Sequence, residues 1–233
     1  MDRQEFIYRG GTGFKSFVLR LFLLGGSPVF TVQAASGVTC HCFQDRAFSP
    51  SSPAAVDPYL LATTQNSTLA VTYGVARKGV VKQKMLGSRS DDLWIAYDIA
   101  TNSGVAVEEL LEMRNRQGSW LPLEPDGVSL RLPEYLRDIP PRTWVQTIVD
   151  RAAHHSLKLS REDLEGLRRV EATDQELLLS GLLAWKLGRP AMELLAQARS
   201  AESSWGMLSH FAEIDPREIE SLIRTLANQS KRR

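Results

Sequence analysis

The sequence predicts an all-α protein. Apolar residues recur at helical spacing, helix-capping patterns stand at regular intervals, and strand signals are scarce. The β-prone residues Val71, Thr72 and Tyr73 end a stretch, 58–74, that is otherwise helical in character. The chain has 233 residues, of which 43% are hydrophobic and 24% charged, so it is long enough for one large or two small globular domains.

Residues 1–34 have the pattern of a secretory signal peptide. Basic residues precede an apolar stretch, and the small residues Val32 and Ala34 favour cleavage after Ala34. The apolar core is only about 12 residues long, whereas a membrane-spanning helix needs ~20. We therefore expect export to the periplasm or the medium, cleavage rather than anchoring, and no stable membrane span in the mature chain.

Cys40, His41 and Cys42 form the most unusual local pattern of the chain. A bond between the two cysteines closes a very small, strained ring, which favours easy reduction. Alternatively, two thiolates and an imidazole suit copper(I) or zinc if a fourth ligand comes from elsewhere. Three interpretations stay open: an inert or structural disulfide, a redox-active or intermolecular pair of Cys40 and Cys42, and a soft-metal site at Cys40, His41 and Cys42.

Two segments of the chain, about 75–120 and 159–205, align with each other at an offset of 84 residues that becomes 85 near the end. We predict that they are two copies of a three-helix module. The expected helices are 76–86, 90–102 and 106–117 in the first copy, and 160–170, 174–187 and 190–201 in the second. Recurring residues are Arg77 and Arg161, Gly104 and Gly188, Arg114 and Arg199, and Trp120 and Trp205.

Capping patterns mark the ends of these helices. Ser160 precedes Asp163 and Thr173 precedes Glu176 at the spacing of a capping box. The glycines at 104 and 188 are expected to end the second helix of each copy, because glycine adopts left-handed backbone conformations most easily.

The rest of the chain connects and flanks the modules. Five of the 11 prolines fall in 121–142, a linker composition, although an amphipathic piece at 132–139 is expected to dock. A helix follows at 142–157, and Asp215 with Pro216 predicts the start of the last helix. The predicted organisation is a signal peptide (1–34), a Cys-x-Cys and Ser/Pro-rich lead-in (35–57), a first helical module (58–120), a linker (121–142) and a second module with flanking helices (143–230).

Other notable side chains have structural interpretations. His154 and His155 are expected to end a helix, with Asp150 pairing with His154 and with His155 half-buried. The recurring tryptophans and arginines favour packing, with a guanidinium stacked on an indole, over a sugar or peptide platform.

The charge balance and the motifs exclude several function classes. Net charge is +1, and removal of residues 1–34 changes it to −1, so no basic surplus indicates a nucleic-acid binder. The G-x-S-x-G, H-E-x-x-H and G-x-G-x-x-G patterns of common enzyme families are absent. The sequence therefore leans away from an enzyme.

Two stretches together carry a resemblance to known sequences. One joins Cys-His-Cys-Phe-Gln-Asp-Arg at 40–46 to Asp-Pro-Tyr at 57–59 and Thr-Thr-Gln-Asn-Ser at 63–67, and the other is Ser-Asp-Asp-Leu-Trp at 90–94. The chain resembles a group of uncharacterised exported proteins of Gram-negative bacteria. The resemblance implies an exported bacterial protein and transfers no catalytic residue.

The sequence thus leads to two main functional hypotheses. The first is an exported, non-enzymatic helical module that binds another protein and not nucleic acid. The alternative is a redox-active or soft-metal-binding protein that acts through Cys40, His41 and Cys42, with copper or zinc as the metal. A hydrolase acting on envelope polymers has only the compartment in its favour. The sequence does not specify the oligomeric state.

Overall fold

A computed structural model describes residues 43–121 and 132–229. These residues belong to one compact unit, Ala35–Arg233. They form eleven α-helices and contain no strand, which confirms the all-α prediction. The predicted signal peptide, the residues Cys40, His41 and Cys42, and part of the predicted linker lie outside the described residues.

The first half of the fold contains four α-helices. They follow a short 3-10 helix, Pro53–Val56, that leads directly into the first of them. The helices are α1 (Asp57–Thr72), α2 (Arg77–Met85), α3 (Ser90–Ser103) and α4 (Val107–Gln117).

The second half contains seven α-helices. The short helix α5 confirms the docked piece expected within the linker, because its Leu136 is fully buried. A 3-10 turn, Pro141–Thr143, leads into the next helix. The helices are α5 (Glu134–Arg137), α6 (Trp144–Leu157), α7 (Arg161–Arg169), α8 (Asp174–Leu187), α9 (Ala191–Ala198), α10 (Trp205–Phe211) and α11 (Ile219–Gln229).

Helix positions in the two halves follow the offset of the predicted repeat. Helices α2 and α7 begin 84 residues apart with nine residues each, and α3 and α8 do the same with 14 residues each. The hydroxyls of Thr72 on α1 and Ser156 on α6, also 84 residues apart, lie 3.2 Å from each other. That the two halves are copies of one module nevertheless stays a prediction, because helix positions alone do not establish a duplication.

The helix ends predicted from Ser160, Thr173, Gly104 and Gly188 are confirmed. Ser160 and Thr173 accept hydrogen bonds from the backbone N–H of Asp163 and Glu176, and each acid bonds back to the capping residue. The C-terminal glycine of α3 has φ +77°, and that of α8 has φ +64°.

The last helices differ from the prediction. Helix α11 begins at Ile219, because the carboxylate of Asp215 instead accepts the backbone N–H of Arg217 at 2.8 Å in a turn. The helix expected over 190–201 ends at Ala198, and Trp205 begins a separate helix, α10.

Helix α1 is the central element of the fold. It packs against α2, α6, α8, α10 and α11. Helices surrounded in this way are usually apolar on all faces, but the middle of α1 carries a buried polar run. That run is Thr63, Thr64, Gln65, Asn66, Ser67 and Thr68.

The amide of Gln65 joins three helices within this polar interior. Its Oε1 accepts hydrogen bonds from Lys84 Nζ of α2 at 3.3 Å and from Gln175 Nε2 of α8 at 3.1 Å. Since α2 and α8 belong to different halves of the chain, this amide links the halves directly.

Asp57 holds the start of α10 against the start of α1. Its carboxylate accepts the backbone N–H groups of Trp205 at 3.2 Å and Gly206 at 2.7 Å. Burial raises the pKa of this carboxyl, although the two backbone hydrogen bonds act in the opposite direction.

Candidate functional site

The described chain begins at Phe43, the residue after Cys42, and this lead-in docks on α1. The ring of Phe43 packs edge-on against the ring of Tyr59, with centroids 5.7 Å apart. The guanidinium of Arg46 lies 5.9 Å from the centre of the same Tyr59 ring, and Arg46 Nε donates to the Phe43 carbonyl. The lead-in therefore reaches the rim of a cleft beside Tyr59.

This cleft, which we call the basic cleft, has a volume of about 460 Å³. It opens between α1 and α2, and Glu220 of α11 forms part of its wall. The polar and charged side chains that line it are Arg46, Tyr59, Thr63, Arg77, Lys78 and Glu220.

Positive charge predominates in the basic cleft. Three cationic side chains face one carboxylate, that of Glu220. Glu220 is shared between two arginines, because Arg77 Nε lies 3.4 Å and Arg224 Nη2 3.0 Å from its carboxylate oxygens. Arg77 Nη1 also donates to Ser67 Oγ at 3.3 Å, which holds the guanidinium at the cleft. Such a site favours carboxylate or phosphate groups.

The first turn of α2 adds to this positive potential. No side chain caps its N-terminus, and its first turn contains no acidic residue. The corresponding positions of α7 hold Ser160 and Asp163 in a capping box, whereas α2 has Ala76 and Gly79 there. The backbone N–H groups at the start of α2 are thus left without a capping side chain.

A second cleft, which we call the histidine cleft, lies between α6 and α7 and has a volume of about 510 Å³. Its lining has a smaller cationic surplus than that of the basic cleft, with three arginines and two carboxylates, and Arg168 bonds to Asp150 and to Asp174 at 2.7 Å each. The charged and polar side chains that line it are Asp150, Arg151, His154, His155, Arg161, Glu165 and Arg168.

The pairing of His154 and the burial of His155 differ from the sequence-based prediction. Asp150 pairs with Arg168 and not with His154, whose Nδ1–H donates to the Leu159 carbonyl at 2.8 Å. His155 is exposed, because the buried face of α6 runs through other positions, including Ala152 and Ser156. Partial burial lowers the pKa of His155, and nearby positive groups lower it further.

The histidine cleft offers no metal centre. Among the residues that the structure describes, no three His, Cys, Asp or Glu side chains lie close enough together to hold an ion. The predicted ligands Cys40, His41 and Cys42 fall outside those residues, so the soft-metal and redox interpretations stay predictions.

A buried carboxylate that sequence reasoning did not single out lies on α3. Asp98 is 8% exposed, and its Oδ1 accepts the hydroxyl of Tyr73 at 3.1 Å. Tyr135 of α5 also faces this carboxyl, and the guanidinium of Arg151 lies 4.0 Å from the centre of the Tyr135 ring. Burial raises the pKa of Asp98 and of both tyrosines. The cluster fastens α5 to the helical body.

Arg114 and Arg199 form ion pairs, whereas a guanidinium stacked on an indole was expected. Arg114 Nε and Trp120 Nε1 both donate to Asp92 Oδ1, at 3.1 and 2.9 Å. Arg199 bonds to Glu176, which lies 84 residues after Asp92. This arrangement agrees with a packing role for these residues.

Comparison of the chain with protein-family models, with curated proteins and with solved structures gives no match. In residues 43–121 and 132–229, no helix is both long and apolar enough to cross a bilayer. The described residues thus form an all-α fold with a cationic cleft between α1 and α2.

Proposed function

We propose that the protein is an exported, non-enzymatic binding protein that takes an acidic segment of a partner protein into the basic cleft. The observation that carries this proposal is the surplus of cationic side chains in a cleft of about 460 Å³. A carboxylate side chain of the partner would bond to Arg77 and Lys78, and Tyr59 offers a ring and a hydroxyl. The predicted export signal and the motifs of the resemblance support an extracytoplasmic location.

The basic cleft supports this role better than the histidine cleft does. In the histidine cleft, Asp150 and Asp174 already neutralise Arg168. In the basic cleft, Glu220 is shared between two arginines, and Lys78 has no ion-pair partner among the described residues. An incoming carboxylate therefore displaces no strong ion pair there.

The chain offers a matched pair of variants for the test. Arg77→Gln changes the basic cleft, and Arg161→Gln changes the corresponding arginine in the histidine cleft. The probe is a fluorescent peptide rich in Asp and Glu, and polarisation gives its Kd at low and high salt. We expect Arg77→Gln to weaken binding roughly tenfold, since a hydrogen bond to a charged group contributes ~1.5 kcal/mol or more.

The control variant Arg161→Gln should leave the Kd unchanged. High salt should weaken peptide binding by the wild-type protein. Equal Kd values for wild type and Arg77→Gln, or equal losses in both variants, would contradict the proposal. Replacement of Cys40 and Cys42 by serine should leave peptide binding intact, because the proposed contacts do not involve them.

We retain the redox or soft-metal role of Cys40, His41 and Cys42 as a second candidate. It rests on the Cys-His-Cys pattern of the sequence, and Phe43, which follows Cys42 directly, packs against Tyr59 in the lining of the basic cleft. Metal analysis and intact mass with thiol alkylation test this role on the purified protein. Stoichiometric copper or zinc, or a readily reduced Cys40–Cys42 bond, would support it, whereas inert, metal-free cysteines would remove it.

A further inference from the structure

An exposed stripe on α2 combines large apolar side chains with lysines. Lys78, Lys82, Met85 and Leu86 follow one another at helical spacing, so they share one face of the helix and its C-terminal end. Met85 is 60% exposed and Leu86 is 69% exposed, although both are large hydrophobic residues. We call these four residues the α2 stripe.

The positive charge of the α2 stripe is not neutralised by the described residues. Lys78 and Lys82 make no ion pair within that part of the chain. Three acidic groups that interact with α2 already have partners: Glu220 pairs with Arg77, Glu108 accepts a hydrogen bond from Gln83, and Asp91 pairs with Arg89.

The corresponding face of α7 lacks this combination. The positions 84 residues after the α2 stripe hold Glu162, Gly166, Arg169 and Val170. Only Val170 among them is a large hydrophobic residue, and it is 40% exposed. The face of α7 therefore serves as a comparison surface within the same chain. It has Glu162 in place of Lys78 and Gly166 in place of Lys82.

We propose that the α2 stripe binds an anionic lipid surface. Lys78 and Lys82 lie against lipid phosphates, and Met85 and Leu86 insert between the headgroups. A lipid surface accounts for both parts of the stripe together, because its phosphates pair with the lysines and the layer beneath them takes up the two adjacent large hydrophobic residues at the tip of the helix. The α2 stripe therefore fits a peripheral membrane contact, which goes beyond the proposed function. It shares Lys78 with the basic cleft, whereas Lys82, Met85 and Leu86 belong to the stripe alone.

Sedimentation of the full-length protein with lipid vesicles tests this inference. Vesicles contain phosphatidylcholine alone or phosphatidylcholine mixed with phosphatidylglycerol. The wild-type protein should prefer the anionic vesicles, and salt should weaken that preference. Two variants, Lys82→Glu and the double change Met85→Ser with Leu86→Ser, should each lower the partition coefficient by about tenfold or more.

Val170→Ser is the matched control and should partition like the wild type. All variants contain the same residues 1–42, so differences between them report on α2 and not on the predicted signal peptide. Circular dichroism verifies that helical content is unchanged, as expected for exposed positions. Arg77→Gln should keep its vesicle binding, so the basic-cleft proposal and the α2-stripe proposal fail independently.

Three outcomes would overturn the inference. Wild-type protein could show no preference for anionic vesicles, or both stripe variants could partition like the wild type. In the third outcome, Lys82→Glu loses binding to polyglutamate as well as to vesicles, while the Met85 and Leu86 double variant binds vesicles normally. That result would assign the stripe to an acidic protein.

Discussion

Gly206 lies where α10 meets the 3-10 helix Pro53–Val56. A Cβ atom at this position would stand 2.0 Å from the Pro53 carbonyl oxygen and 2.7 Å from Val56 Cγ1. Neither contact is with the end of a flexible side chain, because one atom belongs to the Pro53 backbone and the other to Val56, which is 1% exposed. The close approach of the two segments therefore requires glycine.

Gly206→Ala should lower the free energy of unfolding by about 3 kcal/mol, toward the upper end of overpacking effects, as measured by urea denaturation. Gly79→Ala is the control, because a Cβ atom there meets nothing within 4 Å. It should stabilise α2 by ~0.5–1 kcal/mol, since alanine is the better helix former. Equal stability of Gly206→Ala and the wild type would contradict the described contact.

The raised pKa of Asp98 makes the stability of the fold depend on pH. Burial raises the pKa of its carboxyl above the ordinary value of 3.8, although hydrogen bonds from Tyr135 and Tyr73 oppose the shift. The folded state therefore holds this proton more tightly than the unfolded chain does. The contribution of Asp98 to stability falls as the pH rises from 3.8 through the folded-state pKa, and is constant above it.

Asp98→Asn removes this titration and keeps an oxygen that can accept the Tyr73 hydroxyl. The stability of the variant relative to wild type should therefore increase as the pH is raised from acid to neutral. Urea denaturation of the variant and the wild type, each at acid and at neutral pH, measures this change. The comparison with wild type is needed because Asp57 and Asp91 also have raised pKa values. A relative stability that falls on going to neutral pH would show that ionised Asp98 is favoured in the fold, for example by Arg151.

At the scale of the element, the N-termini of α2 and α7 differ. Ser160 and Asp163 form a capping box on α7, while Ala76 and Gly79 leave α2 uncapped beside the basic cleft. Ser160→Ala should cost about 1 kcal/mol of stability, because it removes the bond to the Asp163 N–H. The comparison variant Ala76→Ser adds a capping hydroxyl and should not destabilise. An equal loss of stability in Ser160→Ala and Ala76→Ser, measured by thermal unfolding, would contradict the capping role of Ser160.

Local sequence patterns predicted most of the helices. The predicted helix 174–187 coincides with α8 because Thr173, Glu176 and Gly188 mark both ends by local chemistry. The patterns were misleading at Asp215, where the same N-cap residue closes a turn before α11 begins. Capping residues favour both structures, and tertiary packing decides between them.

The two clefts were harder to predict than the helices. Arg46, Arg77 and Glu220 are far apart in sequence, and only the packing of α1, α2 and α11 brings them together. The repeat emphasised Arg77, but its counterpart Arg161 lies in a cleft with a smaller cationic surplus. Asp98 was not singled out, because its partner Tyr135 lies far from α3 in sequence, within the proline-rich linker 121–142.

At the scale of the whole molecule, the two halves share one interior. Helix α1 of the first half packs against α8 of the second, and α6 packs against α3. The Gln65 amide lies within this contact and bonds to both Lys84 and Gln175. Any duplication of modules has therefore not produced two independent folding units.

Gln65→Ala should lower the free energy of unfolding by about 2 kcal/mol or more, because it removes a buried acceptor from two donors and leaves a cavity. Unfolding should stay a single transition, since both halves lose the contact together. Gln83→Ala, a less buried amide that bonds to Glu108, should cost only ~0.5 kcal/mol. Two separate transitions, with only one affected by Gln65→Ala, would contradict a shared interior.

The basic cleft as the ligand site is the central claim, and hydrogen–deuterium exchange with and without an acidic peptide tests it most directly. We predict that the peptide protects backbone amides in the lead-in around Arg46 and in the first turns of α1 and α2. Amides of α6 and α7 around the histidine cleft should exchange as they do in the free protein. Protection confined to α6 and α7, or no protection at saturating peptide, would contradict the claim.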